Sequence, residues 1–187
     1  ITIQEALSGY ADSTVWLVVA AFLIAGTVIK TGLGKRIALN LVVKLGRSTI
    51  GLGYALCAAE LILGPVVPSN TARGGGILAP IMQSLSYALG SRENDQPKKA
   101  GQYLTLVGAH ANLITAAMFL TGMAANPLVA KAAKEVMNVD FDWATWALGA
   151  IVPGIIGLSL LPLLISYIAK PELSDGRAAQ QKARDEL

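Results

Sequence analysis

The chain has 187 residues, 53% hydrophobic and 14% charged, with a mean hydropathy of +0.54, whereas ordinary soluble domains carry about 25% charged residues. This composition excludes a disordered chain and points to a membrane protein. The net charge of +3 is spread along the chain, which argues against nucleic acid as a partner, and the single cysteine, Cys57, can form neither a disulfide framework nor a thiolate metal site.

The chain starts at Ile1, and residues 1–14 have no basic segment leading into an apolar run, so no signal peptide is expected. The sequence reads as an excerpt of a longer protein. Residues 15–29 are apolar apart from Thr27 and are flanked by Trp16 and Lys30, which predicts a first membrane helix. From 30 to 47 five basic residues (Lys30, Lys35, Arg36, Lys44, Arg47) occur without an acid, and Ile37, Leu41 and Leu45 recur between them at helical spacing. That pattern predicts an amphipathic helix on a basic membrane face, so that 1–50 forms one unit.

Residues 51–67 are apolar again but hold Glu60, are broken by Gly64-Pro65 and stop at Pro68-Ser69-Asn70-Thr71. The chain resumes over 72–89, interrupted by Gly74-Gly75-Gly76 and Pro80. Two short limbs meeting at a polar tip predict a re-entrant hairpin over 51–90. Residues 91–99 are wholly polar apart from a proline and predict a solvated loop.

The stretch 100–130 is apolar yet contains Thr105, His110, Asn112, Thr115, Thr121, Asn126 and Pro127, which predicts a broken transmembrane helix facing protein or water. His110 and Asn112 are read as hydrogen-bonded structure. Asn126-Pro127 marks a second interruption or a helix end. Residues 131–142 read as a polar connection, and 143–169 as a last transmembrane helix with Trp143, Trp146 and Tyr167 near its ends and bends at Pro153, Gly154, Gly157 and Pro162. Residues 170–187 alternate charge and read as a solvated connector. The expected fold class is therefore all-α, a fragment of a polytopic membrane protein.

Charge also sets an orientation. The basic segment 30–47 is expected in the cytoplasm, 91–99 (three basic, two acidic) returns to the same side, and 131–142 (two basic, three acidic) lies outside.

Backbone groups without partners cost several kcal/mol in hydrocarbon, so an irregular tip at membrane depth must be enclosed by protein or line a wet cavity. At Ser69-Asn70-Thr71 two hydroxyls and an amide precede a helix start, where free backbone N–H groups favour an anion. The helix dipole supplies only about 0.3–2 kcal/mol, so neutral side-chain donors must add to it. Two readings stand: the tip binds an anion, or it caps a kinked helix. Arg73, just past the tip, needs a partner or water; it pairs with Glu60 across the hairpin, snorkels, or draws in the anion. Gly74-Gly75-Gly76 is not followed by a Gly-Lys-Ser/Thr and is better explained by close helix packing. No metal-ligand cluster or catalytic motif occurs, so neither a catalytic nor a metal residue is assigned and no cofactor is expected.

The run 67–81, with Val67-Pro68-Ser69-Asn70-Thr71-Ala72-Arg73 and Pro80-Ile81, resembles the first Ser-Asn-Thr hairpin of the divalent-anion:sodium symporter family. Ala111-Asn112-Leu113-Ile114-Thr115 through Thr121, with Ala124-Ala125-Asn126-Pro127, is similar to the branch holding the bacterial citrate/succinate antiporter and the chloroplast 2-oxoglutarate/malate translocator. The resemblance implies a secondary transporter of di- or tricarboxylates such as citrate, succinate, malate or 2-oxoglutarate. It implies a homodimer as the full-length protein, embedded in the lipid of a bacterial inner membrane or a chloroplast inner envelope. It further implies that a transport domain moves like an elevator against a scaffold, that Ser69, Asn70 and Thr71 form half of the substrate site, and that Thr115 helps to line it. Sodium-coupled members carry a glycine-rich unwound loop where this chain reads Ile114-Thr115-Ala116-Ala117-Met118, which argues against sodium as a coupling ion. Anion exchange is the expected mechanism; sodium-coupled symport is the alternative within the class, and a membrane-embedded enzyme the alternative outside it.

Overall fold

A computed structural model describes residues 2–187. A short helix α1 (Ile3–Leu7) and a 3-10 turn (Ser8–Ala11) lead into α2 (Ser13–Lys30). Gly32, at φ +68°, closes α2 by donating its N–H to the Ile29 carbonyl at 3.1 Å, and α3 (Leu33–Leu45) leaves at 59° to it. The hairpin follows as α4 (Thr49–Leu63), the tip, and a π-helical stretch (Ala72–Leu78) that runs without interruption into α5 (Ala79–Ala88). Then come α6 (Gly101–Met118), an irregular break over 119–124, α7 (Ala125–Met137), α8 (Trp143–Ala169) and α9 (Arg177–Asp185). Among the described residues there is no strand, and α8 is the one helix that by itself is long and apolar enough to cross a membrane; α2 and α3 pass together as a bent pair.

The main core joins α3, α4, α5, α6, α8 and α9 through residues such as Leu39, Leu52, Leu56, Leu85, Leu104 and Leu158. α6 packs on both limbs of the hairpin and on α8. The α6–α8 pairing is antiparallel: Trp146, at the start of α8, donates to the Ala117 carbonyl at the end of α6, 3.0 Å away. A separate apolar cluster of Ala25, Val28 and Val67, with Ala72 against it, leans α2 on the hairpin tip. Near the start of α2, Asp12 forms an ion pair with Lys131 of α7.

The hairpin returns to the side it leaves. Thr49, at its start, donates its N–H to Ser174 at 3.0 Å, while Lys98 and Lys99, beyond its end, accept from Glu172 and Leu173 at 3.1 and 3.0 Å. One short segment thus touches both roots. α4 has 15 residues, about 22 Å, and stops short of the roughly 30 Å of a hydrocarbon core.

In α3 the face packed on the protein is Gly34, Ala38, Leu39 and Val42, while Ile37 and Leu41 are half-buried and Leu45 is exposed. Three sequence expectations need correction. The limb after the tip is one continuous helix despite Pro80, which falls where the π turns over 72–78 pass into the α turns of α5. Residues 131–137 are not a connection but the second half of α7, which presents Leu128, Val129 and Val136 outward. Residues 170–187 are not a solvated connector. α9 buries Ala179 and Ala183 against α3 and α5, Gln180 donates to the Val43 carbonyl at 2.5 Å, and Glu186 accepts from Ser84 at 2.6 Å and pairs with Lys35 at 2.8 Å.

Candidate substrate-binding site

α4 ends where Gly64 and Pro65 open its ladder, and 64–68 cross over to the tip. The tip closes on Ser69, whose hydroxyl accepts from the Ala72 N–H at 3.2 Å and whose carbonyl accepts from the Arg73 N–H at 3.0 Å. Ser69 is thus the N-cap of the second limb, and Asn70 and Thr71 are its first residues. Their own N–H groups precede any intrahelical acceptor. Ser69 and Asn70 are half-buried and Thr71 is exposed, so the tip is accessible above a neutral cradle.

Beneath it lies a buried ion pair. Arg73 and Glu60 both have 0% side-chain exposure, and Arg73 Nε donates to Glu60 Oε2 at 2.9 Å. The same guanidinium donates through Nη1 to the carbonyls of Val67 (2.6 Å) and Gly122 (2.8 Å), and through Nη2 to the Thr115 hydroxyl (3.4 Å). The other oxygen of the carboxylate, Oε1, accepts from Asn112 Nδ2 at 2.8 Å, and Thr115 donates to Oε2 at 2.8 Å. Every charged atom therefore has a partner, the condition for keeping charges in the interior of such a bundle. The pair is electrically neutral, so attraction of an anion to the tip falls to hydroxyls, amides and the helix start.

The break in the long helix is shaped to meet this pair. Gly122 donates to Phe119 at 2.7 Å, and a Cβ on it would press on the carbonyl of Ala116 at 2.6 Å. Its free carbonyl turns to Arg73. Asn126 donates to the carbonyls of Ala116 (2.7 Å) and Phe119 (2.8 Å), satisfying the open end of α6. Thr121 joins break and tip by donating to the Pro65 carbonyl at 3.0 Å.

Sequence reasoning located Ser69, Asn70, Thr71, Glu60 and Arg73, and the structure brings them together. Arg73 takes the ion-pair option and does not reach the surface. Thr115, expected to help line the site, lies beneath the tip with 0% exposure and its hydroxyl on Glu60, so in this conformation it supports the tip and does not face a ligand. Asn112 is hydrogen-bonded structure and Asn126 sits at a helix end, as the sequence indicated; what sequence reasoning missed is their partners and the part played by Gly122. One signal was present: Asn112 and Thr115 stand three apart and share a helix face. His110 stays outside, its Nδ1 2.8 Å from the Leu106 carbonyl.

Irregular backbone enclosed by protein inside an apolar helical bundle is the form that such backbone takes at membrane depth, and a polytopic membrane protein is the class into which this chain falls. The family described as "Sodium:sulfate symporter transmembrane region" matches residues 1–187, and the chain belongs to it. Over the whole chain it is 48% identical to a putative malate transporter of Bacillus subtilis, 40% to a chloroplastic dicarboxylate transporter of Spinacia oleracea, and 41% to an L-tartrate/succinate antiporter of Escherichia coli K12. The chain covers 39%, 33% and 38% of those proteins, so it spans between a third and two-fifths of their length. It is a fragment of an integral membrane protein.

Proposed function

We propose that the whole protein carries small di- or tricarboxylates across a membrane by exchanging one for another, as a homodimer whose hairpin moves like an elevator. Ser69, Asn70 and Thr71 supply the donors of half the site, supported from below by Thr115 and the Glu60–Arg73 pair. The observation that carries this reading is the tip itself: a capped, accessible helix start with two hydroxyls and an amide, free of net charge. Neutral donors hold an anion firmly enough to select it and weakly enough to release it. The names of the related malate, dicarboxylate and tartrate/succinate transporters support the substrate class.

A second observation favours exchange over sodium symport. The guanidinium of Arg73 sits among the oxygens of Glu60, Val67, Gly122 and Thr115, the kind of oxygen set that a bare alkali cation takes. With a tethered cation filling that place, the charge balance of this half needs no dissolved one.

The test uses the full-length protein in proteoliposomes. Internal unlabelled succinate or malate is expected to accelerate uptake of labelled dicarboxylate severalfold with no sodium present. A strict sodium requirement, with no effect of internal substrate, would move the reading to symport.

A further inference from the structure

We propose that Asn112 is a positioning residue for substrate binding: by holding the carbonyl of Asn70 it aims the N–H of Thr71 at the ligand. The inference deepens the carrier reading and rests on it.

Asn112 Nδ2 lies 2.8 Å from Glu60 Oε1 and 3.0 Å from the Asn70 carbonyl oxygen. Both partners can only accept, so both protons of the side-chain NH2 are assigned and the orientation of the amide is fixed by its surroundings. One end of the clamp is thereby anchored on a carboxylate that Arg73 and Thr115 also hold. The other end grips the backbone of the tip.

The carbonyl of Asn70 and the N–H of Thr71 belong to one peptide group, planar and trans, with no cis bond among the described residues. Fixing the carbonyl towards α6 therefore fixes the N–H in the opposite sense, away from α6. Thr71 is the exposed residue of the tip, and its N–H is among the first of the helix, without an acceptor of its own. Polarisation runs the same way, since a carbonyl that accepts a bond makes the N–H of its own peptide a stronger donor.

The local fold makes room for the clamp. A Cβ on Gly74 would stand 3.3 Å from Asn112 Cγ and 3.4 Å from its Nδ2 and Oδ1, closer than most side chains tolerate. The following turn, Ala72–Leu78, is π-helical, the wide form that occurs where a helix ladder opens to an inserted group. Gly74 and the π turn together let α6 bring an amide against the first turn of the limb. Asn112 itself is 8% exposed, beside the site and not in it.

Asn112→Leu keeps the size of the side chain and removes both donors; Asn112→Gln keeps the amide and changes the size. In full-length protein reconstituted for succinate exchange, the Leu variant is expected to raise KM by about tenfold or more while the maximal rate stays within about threefold of wild type. The Gln variant is expected to hold KM within about threefold of wild type. A role in packing alone predicts the reverse order, since Leu matches the volume of Asn and Gln does not. Unchanged KM in the Leu variant would overturn the inference, as would a fall confined to the maximal rate. If the Leu variant does not fold, Asn112→Ser, which is too short to hold both acceptors, decides by the same reading of KM. A wild type that shows no dicarboxylate exchange brings down the carrier reading; a wild type that exchanges, with a Leu variant matching its KM, brings down only the role of Asn112.

Discussion

Arg73 donates to Glu60, Val67, Gly122 and Thr115, which lie on the first limb, the approach to the tip, the break and α6. A single side chain thus ties the irregular segments to the regular ones. Removing one member of a buried pair leaves the other charge uncompensated, so Glu60→Leu or Arg73→Leu should each destabilise the protein by about 3–5 kcal/mol, whereas the double variant should recover more than half of the summed loss. Thermal unfolding of the full-length protein in detergent measures this. Additive losses would mean the pair is not the unit described. At the surface of the tip the outcome differs: Asn70→Ala should leave the melting temperature within a few degrees of wild type and lower dicarboxylate exchange by about tenfold or more, the factor that one good hydrogen bond represents. The residues of the pair were visible in the sequence because charge is rare in apolar segments. Their partners were not, since a backbone carbonyl carries no signature and Asn112 lies 52 positions from Glu60.

At the scale of elements, the end of the chain shows how a polar segment becomes structural. α9 is mostly hydrophilic, yet two alanines on one face suffice to seat it between α3 and α5. Close approach is enforced at Gly176, where any Cβ would strike the Gly46 carbonyl. The Lys35 ammonium, together with the Ser84 hydroxyl, holds the Glu186 carboxyl down to about 2. A carboxyl with a depressed value in the folded state contributes stability that is present above its unfolded pKa, near 4.5, and is lost as pH falls towards the folded one. The protection factor of the α9 amides, their exchange rate relative to the free-peptide rate at the same pH, should therefore be level from pH 7 to 5 and fall between about pH 4.5 and 2, and Glu186→Gln should flatten that dependence. A dependence that survives the substitution would place the titrating group elsewhere. Hydropathy missed α9 because only Ala179 and Ala183 are buried in it, and small apolar residues in a charged context leave a weak periodic signal.

At the scale of the molecule, α3, α4, α5, α6, α8 and α9 share one core, while α2 leans on it through a small apolar patch, and Asp12, just before α2, forms an ion pair with Lys131 of α7. Ala25 and Val28 lie against Val67 and Ala72, directly behind the tip. A contact of small residues with little interlocking suits surfaces that slide, as the proposed elevator requires. Cysteines at Ala25 and Val67, in a full-length Cys57→Ala background, should cross-link on oxidation and stop exchange, and reductant should restore it. Oxidised protein that exchanges at the full rate would show that this contact does not move.

Hydropathy and chain breakers alone determined the all-helical class, the hairpin and the position of its polar tip, because burying apolar side chains and ending helices at Gly, Pro and capping residues are local decisions. The family followed from the same short runs. Only the tertiary structure decided that Arg73 pairs inward, that Thr115 supports the tip from beneath, that Asn112 clamps it and that the last helix docks. The first three outcomes depend on groups 13 to 55 residues apart, and the last on groups 102 and 137 apart, meeting where an unmatched polar group is too costly to leave alone and its partner is chosen by position in space.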